Sequence, residues 1–543
     1  MTGPVECSLS DIKAIKPSAP LDLVNSTNKT WLLKANLKLE QGATLLLHGS
    51  TVGGDVNELR LKSNNTSTAN STVFVRAQWG TIDIDTTKIT SWNEASNSPD
   101  TEYSTYKRSY IHVRSYLESD GITKRESRMD IKSSDVGYLG FYAAESYGLS
   151  WKVLGPIPAI FDKVNVYGNV INSRIHHNYF GMYTFGAYGM NITNNEVDNS
   201  IQYGIDPHDD SDSLVIENNN SHHNGNHGII CSQRCDHLTI RGNISRNNKG
   251  NGIMLHRNTN DSLVENNQVL DNSDAGIAVF DSHKNTIRSN ISLRNNHGIR
   301  LSVASSENLI EQNEFGNNKL HGIYFYKGSD APTTGDGRPK LNSFTNNNVH
   351  DNGDYVIKLK EADGNTFENN SFTGSNREIY MYNASSNVFR NNTFTGTNNF
   401  YYARYLVDNT IADTNPVRAK IGDSQSSLQV TDSSNFIFQN NKNIPTIAEP
   451  FLTSILLTRA ITSGVVDFTR LNFQLIPTSG QVTITPLVWE VSAPFYKKWV
   501  ASSSASTTTA NHTLGDLNPG TKYDVLVNDI VWNSYIASTD GTL

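Results

Sequence analysis

A short x-Gly-Ile unit recurs at a nearly constant spacing through the middle of the chain. Its glycines are separated by 24, 24, 24, 22 and 24 residues. The six units are Tyr203-Gly204-Ile205, His227-Gly228-Ile229, Asn251-Gly252-Ile253, Ala275-Gly276-Ile277, His297-Gly298-Ile299 and His321-Gly322-Ile323. A fixed period of this length indicates a repeat architecture, in which each repeat stacks on the next one.

Each repeat also carries an asparagine shortly after an apolar or β-branched run such as Leu214-Val215-Ile216. The asparagines are Asn195, Asn219, Asn243, Asn267, Asn290 and Asn313. The runs predict short strands, and stacked asparagines at a turn can bond to the backbone and to the next repeat. The pattern therefore predicts an all-β fold, a right-handed parallel β-helix. A leucine-rich repeat has a similar period, but the Leu-x-x-Leu-x-Leu pattern is missing.

We expect three regions along the chain. Residues 1–125 form an N-terminal tail and β cap, and residues 126–430 form the β-helix with a Gly/Pro/Asp insertion at 328–339. Residues 440–543 lose the period, and a turn precedes the tyrosine-bearing run 517–527. That segment resembles a fibronectin type III or related β-sandwich.

Charge and cysteine content exclude several classes of protein. With 45 Lys+Arg against 53 Asp+Glu and a net charge of −8, no overall basic field exists to hold nucleic acid or an anionic membrane. No run of about 18 apolar residues predicts a transmembrane helix. Cys7, Cys231 and Cys235 support neither a disulfide framework nor a zinc site, although Cys231 and Cys235 are either bridged or small buried thiols.

The sequence favours an exported, monomeric protein. Residues 1–4 lack the charged and apolar regions of a signal peptide. N-x-S/T triplets such as Asn28-Lys29-Thr30 and Asn191-Ile192-Thr193 are nevertheless dense, which suits a secreted chain whose signal was removed.

One repeat departs from the others. Two residues after the glycine, most repeats carry an apolar residue such as Ile230 or Met254, whereas the first carries Asp206, followed by Pro207 and His208. Residues two apart on a strand share a face, so the Asp206 and His208 side chains project together. Such a run is unfavourable unless its groups are paired or used. Alternatively, it is a polar turn without function.

When the repeats are aligned on their glycines, equivalent positions form columns. Neighbouring repeats place further polar side chains in the same column as Asp206 or His208, or in an adjacent one. Coils about 4.8 Å apart would align carboxylate, imidazole and guanidinium groups along one wall, as a site for a linear anionic chain. The candidate substrate-binding residues are Asp209, His256, Arg257, Arg300, Tyr324, Lys327 and Tyr183. His227, His297 and His321 all precede the glycine, which favours a structural role at a turn.

The run Tyr203-Gly204-Ile205-Asp206-Pro207-His208-Asp209, followed by His227-Gly228-Ile229-Ile230, closely resembles the mannuronan C5-epimerases, in particular the calcium-independent single-module type. The resemblance covers about residues 125–330. It implies a right-handed β-helix that converts polymeric β-D-mannuronate to α-L-guluronate. It further implies that Tyr203, Asp206 and His208 are catalytic, and that Arg234 neutralises the substrate carboxylate.

Two departures from the family pattern stand out. Arg234 lies slightly out of register with the His227-Gly228-Ile229-Ile230 marker. The lysine that calcium-dependent members place one coil upstream is not evident near Tyr183. No calcium-binding nonapeptide repeat occurs either. We therefore expect no required cofactor, with Ca²⁺ at Asp209, Asp210 and Asp212 left open.

The expected chemistry removes the C5 proton of a uronate while its carboxylate is neutralised. Arg234, helped by Arg257, is the expected neutraliser, and His208 is the expected general base, oriented by Asp206. Tyr203 is the expected proton donor on the opposite face. A lyase that expels the O4 substituent from the same carbanion, and a non-catalytic carbohydrate-binding β-helix, are the alternatives.

Overall fold

The structure is a computed structural model that describes most of the 543-residue chain. The described residues are 1–63, 72–105, 107–395, 400–412, 425–433, 436–439, 447–449, 452–460, 473–477, 482–489, 493–503 and 509–543. They form two compact units, Met1–Asn295 and Asn296–Leu543, which we describe separately. Within this part of the chain, no helix has the length and hydrophobicity needed to cross a membrane.

Each repeat in the first unit is one coil made of three short strands. The coil that contains the departure consists of Ile205–His208, Val215–Glu217 and Asn220–His222. Each strand pairs in parallel with its counterpart in the next coil, and the pairing joins Ile205 to Ile229 and Val215 to Thr239. The prediction of a parallel β-helix is therefore confirmed.

Three parallel sheets result from this stacking. The first sheet contains Tyr110–Leu117, Gly148–Leu154, Phe180–Phe185, Ile205–His208, Ile229–Ser232, Ile253–His256 and Ala275–Phe280. The second contains Arg128–Lys132, Tyr167–Ile171, Asn191–Thr193, Val215–Glu217, Thr239–Arg241, Leu263–Glu265 and Thr286–Arg288. The third contains Thr30–Leu33, Glu58–Lys62, Lys88–Asn93, Asp135–Gly137, Arg174–His176, Glu196–Asp198, Asn220–His222, Ile244–Arg246, Gln268–Leu270 and Ile291–Leu293.

Parallel stacking already begins before residue 126. The long strands Leu37–His48 and Phe74–Asp85 pair with each other, and the second of them pairs with both Tyr110–Leu117 and Arg128–Lys132. The helix Leu9–Ile15 begins at a Ser8 cap. The remaining short elements are Glu6–Cys7, Leu21–Asn25, Ser50–Val52, Ser98–Pro99 and Lys124–Arg125. The division into three domains stays a prediction.

The second unit also contains three sets of parallel strands. The first set is His297–Ser302, Ile323–Tyr326, Tyr355–Lys360, Arg377–Ser385, Phe400–Val407 and Gln425–Ser433. The second is Leu309–Glu311, Ser343–Thr345, Thr366–Glu368, Val388–Arg390, Thr410–Ala412 and Phe436–Gln439. The third is Glu314–Gly316, Asn348–His350, Ser371–Thr373 and Thr393–Thr395.

Antiparallel pairing predominates toward the C-terminus, although Leu452–Ala460 and Val482–Trp489 still pair in parallel. The strands are Ile447–Glu449, Leu452–Ala460, Phe473–Pro477, Val482–Trp489, Lys497–Ser503, Ala510–Leu514, Lys522–Val527 and Ile530–Ile536. The last two form a hairpin, and the Tyr523 hydroxyl accepts a hydrogen bond from the Asn518 N–H at 2.9 Å. Because much of 440–543 lies outside the described residues, the β-sandwich stays a prediction.

The repeated asparagines form a buried ladder in the first unit. Asn195, Asn219, Asn243, Asn267 and Asn290 are at most 2% exposed. The Asn243 Nδ2 donates to the Ile216 carbonyl at 2.8 Å and to the Asn267 Oδ1 at 3.0 Å, while its Oδ1 accepts from the Asn219 N–H at 2.9 Å. Each side chain therefore satisfies turn groups that no water reaches. A second ladder, which the sequence analysis did not identify, joins Asn224, Asn248, Asn272 and Asn295.

The second ladder explains the glycine of the x-Gly-Ile unit. A Cβ atom at Gly228 would lie 2.2 Å from the Ser245 Oγ and 2.6 Å from the Asn248 Nδ2. The Ser245 hydroxyl donates a hydrogen bond to the Gly252 carbonyl at 2.8 Å, and moving away from the added Cβ would break this bond. Close approach of a neighbouring coil, rather than an unusual backbone angle, therefore requires glycine here.

The Asn243→Ala variant tests the ladder. We expect it to lower the free energy of unfolding by about 2–4 kcal/mol, because the Ile216 carbonyl and the Asn219 N–H lose their partners inside the solenoid. Thermal unfolding followed by circular dichroism measures the change. Asn226→Ala is the control, since within the described residues the Asn226 side chain makes no hydrogen bond; equal midpoints for the two variants would contradict the prediction.

Candidate active site

Asp206 lies on the outer face of the first sheet, at the end of an apolar column. Ile230, Met254 and Ala278 occupy the equivalent positions of the next three coils and form a buried cluster. On the other side, Asp206 pairs in register with Tyr183. The Asp206 side chain is 1% exposed, and within the described chain neither of its carboxylate oxygens has a hydrogen-bond partner. Burial raises its pKa to about 7, and Asp209 adds to this effect while His208 opposes it.

His208 is held by Asp209 rather than by Asp206. The Nδ1 of His208 contacts the Asp209 Oδ2, whereas the expected orienting contact with Asp206 is absent from the described structure. Asp209 reaches the ring because its backbone turns into the left-handed region, with φ of 33°. Burial lowers the pKa of His208, but the hydrogen bond to Asp209 and the charge of Asp206 outweigh burial, so the pKa is raised overall. No hydrogen bond from Asp206 therefore orients His208 or fixes its tautomer in the described structure, and a catalytic role for Asp206 stays a prediction.

Arg234 completes this charged array from the next coil. Its Nη2 contacts the Asp209 Oδ1, and its Nε lies 2.8 Å from the Asp210 Oδ2. Both oxygens of Asp209 are thus engaged inside the protein, which differs from the expected contact between Asp209 and substrate. About 30% of the Arg234 side chain remains exposed. The shift of register at Arg234 follows from its position beyond the end of strand Ile229–Ser232, where its φ is 58°.

Tyr203 lies in an aromatic stack beside the carboxylate. Its ring stacks on Phe180 at 5.1 Å and on His227 at 5.2 Å between centroids. Burial raises the pKa of Tyr203, and the charge of Asp206 raises it further. Tyr183 is buried, and its ring centroid lies 5.6 Å from that of His208. Both tyrosines therefore stay protonated at neutral pH.

The structure distributes the other predicted substrate-binding residues over both units. His256 pairs in register with Ser232, which pairs with His208, so it lies two coils from His208 in the same column. Arg257 lies over the Phe280 ring at 5.7 Å. In the second unit, Arg300 pairs in register with Tyr324, and Lys327 follows strand Ile323–Tyr326. A common substrate path through residues of both units stays a prediction.

The carboxylates considered for Ca²⁺ have other partners. Asp209 and Asp210 bind Arg234, and Asp212 accepts a hydrogen bond from the Asp236 N–H at 2.7 Å. Carboxylates paired with a guanidinium do not fit a cation site of hard oxygen ligands. Over the described ranges, no group of three or more His, Cys, Asp or Glu side chains is arranged to hold a metal ion.

All three cysteines are free and buried, so Cys231 and Cys235 are not bridged.

Lys152 is a residue that the sequence analysis missed. It pairs in register with Phe185, which pairs with His208, so Lys152 lies two strand spacings from His208 in the same column. Its Nζ is 4.7 Å from the centre of the Phe185 ring and 3.2 Å from the Glu145 Oε1. The interval from Lys152 to Phe185 is longer than the 24-residue period, because residues 155–166 form an extra loop. A fixed-period alignment therefore skips this lysine.

The arrangement combines groups suited to moving a proton next to an anion. A histidine held by Asp209 can exchange a proton through Nε2, and a buried carboxyl with a pKa of about 7 can donate or accept a hydrogen bond. Tyr203 supplies a second proton donor. Acid and base groups with such perturbed pKa values on one exposed sheet face are typical of an active site.

Comparison with known proteins supports the β-helix fold. A family model described as a right-handed β-helix region matches residues 159–260, 209–337 and 333–444, together more than half of the chain. The chain is 31% identical over 138 residues to a mannuronan C5-epimerase of Pseudomonas fluorescens, covering 25% of this chain and 24% of that protein. It is 31% identical over 192 residues to mannuronan C5-epimerase AlgG of Azotobacter vinelandii, covering 35% and 33%.

The chain thus aligns with about a quarter to a third of the length of these curated relatives. Among solved structures, it is similar to the periplasmic alginate epimerase AlgG, with a TM-score of 0.57 and 22% identity. This match covers 66% of the chain and 81% of that structure, and it shows a shared fold.

The Asp206→Asn variant tests the burial of the carboxyl. A pKa raised from 3.8 to about 7 means that the native state loses stability as pH rises through this range, by up to about 4 kcal/mol above pH 7. We therefore expect Asp206→Asn to raise the thermal midpoint at pH 8 and to change it little at pH 4.

Asp198→Asn is the matched control, for which the expected change in stability at pH 8 has the opposite sign. Although burial raises the pKa of Asp198, its hydrogen bonds to Arg174 at 3.0 Å lower it overall, so losing this charge should destabilise the protein at pH 8. A destabilised Asp206→Asn at pH 8 would mean that Asp206 has a stabilising partner.

Proposed function

The chain belongs to the right-handed β-helix family, and on that premise we propose that it is a mannuronan C5-epimerase. It would convert β-D-mannuronate to α-L-guluronate within polymeric alginate, by removing the C5 proton and returning a proton to the opposite face. The observation that carries the proposal is Asp206, a buried carboxyl without a partner beside the His208–Asp209–Arg234 array. The relatives named as mannuronan C5-epimerases support the choice of reaction.

Asp206 gives this site a way to bind an anion. A carboxyl with a pKa of about 7 is half protonated at neutral pH, and the protonated form donates a hydrogen bond. In the proposed complex it donates to the carboxylate of the reacting uronate, which supplies the missing partner. Arg234 belongs to the same array and is about 30% exposed, so its guanidinium can donate a hydrogen bond to that carboxylate although Asp209 and Asp210 balance its charge. Both interactions strengthen as negative charge develops on the carboxylate during proton removal.

His208 and Tyr203 are the proposed acid–base pair. Asp209 fixes the Nδ1 side of the imidazole, so Nε2 takes the C5 proton. Burial raises the pKa of Tyr203, so its hydroxyl is protonated at neutral pH. Tyr203 can therefore donate this proton to C5 from the other face of the sugar. The same carbanion in a lyase would instead expel the O4 substituent, and the product distinguishes the two outcomes.

We also propose that the reaction needs no metal and that the partner is a linear anionic polysaccharide. The proposal that no metal is needed is supported by the partners of the nearby carboxylates. Asp209 and Asp210 form ion pairs with Arg234, and Asp212 accepts a hydrogen bond from the Asp236 N–H. A periplasmic or secreted location is proposed from the likeness to the periplasmic alginate epimerase. As expected from the sequence, we propose that the protein acts as a monomer.

The direct test is ¹H NMR of polymannuronate incubated with the protein in D₂O, with and without a chelator. We expect guluronate signals with deuterium at C5, no unsaturated ends, and no effect of the chelator. Growing 4,5-unsaturated ends would identify a lyase, and an unchanged spectrum would refute the proposal. His208→Ala should lower the rate about 10²–10⁴-fold. His223→Ala, at an exposed position that follows strand Asn220–His222 of the third sheet, should leave the rate unchanged.

The pH dependence tests the role of His208. Because the pKa of His208 is raised above 6.5, the neutral base is lost as pH falls through that higher value. We therefore expect the acid limb of kcat/KM to lie above pH 6.5. Asp209→Asn removes the hydrogen bond that raises the pKa, so the limb should move to lower pH. A limb that stays in place would show that another group is the base.

A further inference from the structure

A second group of polar side chains lies on the same outer face, on the N-terminal side of the proposed active site. His112 is its centre, on strand Tyr110–Leu117 of the first sheet. The ring is 2% exposed, and within the described residues neither of its nitrogens forms a hydrogen bond. Phe74 and Tyr110 contact the ring edge to face, with centroids 5.7 and 5.1 Å away. A buried imidazole without a partner is unfavourable unless a ligand completes it.

Two arginines flank this imidazole. Arg76 pairs in register with His112 on the neighbouring strand, and Arg114 lies two residues along the strand of His112, on the same face. Over the described ranges, Arg76 forms no ion pair or hydrogen bond, and its Nε is buried. Burial lowers the pKa of Arg76, and the charge of Arg114 lowers it further. The two cations thus repel each other, and Glu40 and Glu145 act on Arg76 through their charge without forming an ion pair with it.

Two carboxylates act on the positive charge of this group. Glu145 contacts the Arg114 Nη2 and lies 3.2 Å from the Lys152 Nζ, and the charge of Glu40 acts on Arg76. Arg76, Arg114 and Lys152 therefore carry three positive charges against two negative ones, which leaves an excess of positive charge. Burial lowers the pKa of His112 well below 6.5, and the charges of Arg114 and Arg76 lower it further, so the imidazole is neutral. The Glu145 backbone opposes this shift without reaching hydrogen-bond geometry.

The strand register connects this group to the proposed active site. One continuous column of the first sheet joins Arg76 to His112, Ser150, Tyr183 and Asp206. With strands about 4.8 Å apart, Arg76 lies about 19 Å from Asp206 along the sheet face, and His112 about 14 Å. A linear chain that crosses the coils at Asp206 therefore passes over His112 and Arg76.

The coil around Asp206 cannot hold an anionic chain by charge alone. Asp209 and Asp210 already neutralise Arg234 and His208, even when the histidine is protonated. Attraction for a polyanion must therefore come from other coils. On the N-terminal side, excess positive charge lies at Arg76 and, in the adjacent column of the first sheet, at Arg114 and Lys152.

We propose that Arg76, His112 and Arg114 form a distal subsite that binds a carboxylate of a polyuronate chain whose reacting sugar lies at Asp206. The guanidinium groups bind the carboxylate by charge-assisted hydrogen bonds, and the neutral imidazole donates one hydrogen bond to it. Glu145 positions Arg114 and Lys152 beside the subsite. The identity of the ligand rests on the proposed function, whereas the presence of an anion subsite rests on the contacts described above.

The test measures binding of polymannuronate by titration calorimetry in a His208→Ala background, which prevents turnover. We expect Arg76→Gln to raise the Kd about tenfold and Arg76→Lys to raise it less. Arg246→Gln, on the third sheet, is the matched control and should leave the Kd unchanged. Binding of a mannuronate disaccharide, which is too short to join the two sites, should be equal in all variants.

Turnover with the His208 side chain intact provides the second readout. Arg76→Gln should raise KM for polymannuronate with kcat nearly unchanged, because the subsite lies far from the reacting sugar. Its thermal midpoint should change little, because the substitution removes the burial cost of Arg76 and its repulsion by Arg114 together with its attraction to Glu40 and its contact with the Phe74 ring. His112→Gln should weaken binding of the polymer in the same way and leave binding of the disaccharide unchanged.

Several outcomes would overturn the subsite. These are a normal Kd in Arg76→Gln, an equal loss of affinity for polymer and disaccharide, and no binding of polymannuronate at all. Failure of the proposed function is recognised separately. In that case, NMR shows no guluronate while calorimetry still detects Arg76-dependent binding of polymannuronate.

Discussion

Hydrogen bonds between stacked coils support every other feature of this protein. A solenoid of short strands has many tight turns, and the turn groups on its inside have no access to water. Two asparagine ladders satisfy these groups in the first unit, and each amide bonds to its own turn and to the next coil. Because each amide needs the next one at a fixed distance, the ladders fix the register between coils.

Fixed register turns a repeated sequence into columns of side chains. A substitution in one repeat then changes one site of an otherwise uniform column. Asp206 is such a substitution, since Ile230, Met254 and Ala278 continue the column with apolar side chains. The same apolar surroundings that fit Ile and Met keep water and partners away from the carboxyl and raise its pKa. The coil that contains Asp206 keeps its structure despite this loss of stability because the coils on both sides hold its backbone in place.

The charges near the proposed active site are divided between two places. Next to Asp206, the ion pairs of Arg234 with Asp209 and Asp210 orient the groups and leave almost no excess charge. On the N-terminal side of Asp206, Arg76, Arg114 and Lys152 carry positive charge in excess of that of Glu145 and Glu40. Proton transfer needs precisely placed and balanced groups, whereas capture of a long polyanion needs charge along its path. A solenoid accommodates both because each coil contributes separately to one continuous face.

The sequence by itself determined the architecture and the location of the site, because the period of the glycines and asparagines sets the stacking and makes the departure at Asp206 visible. Tertiary structure alone decided which groups act together. The partner of His208 is Asp209, since a left-handed backbone turn brings that carboxylate to the ring. Lys152 and the Arg76–His112–Arg114 group joined the same face although they lie outside the 24-residue period, because strand pairing, and not sequence spacing, aligns coils that are separated by longer loops.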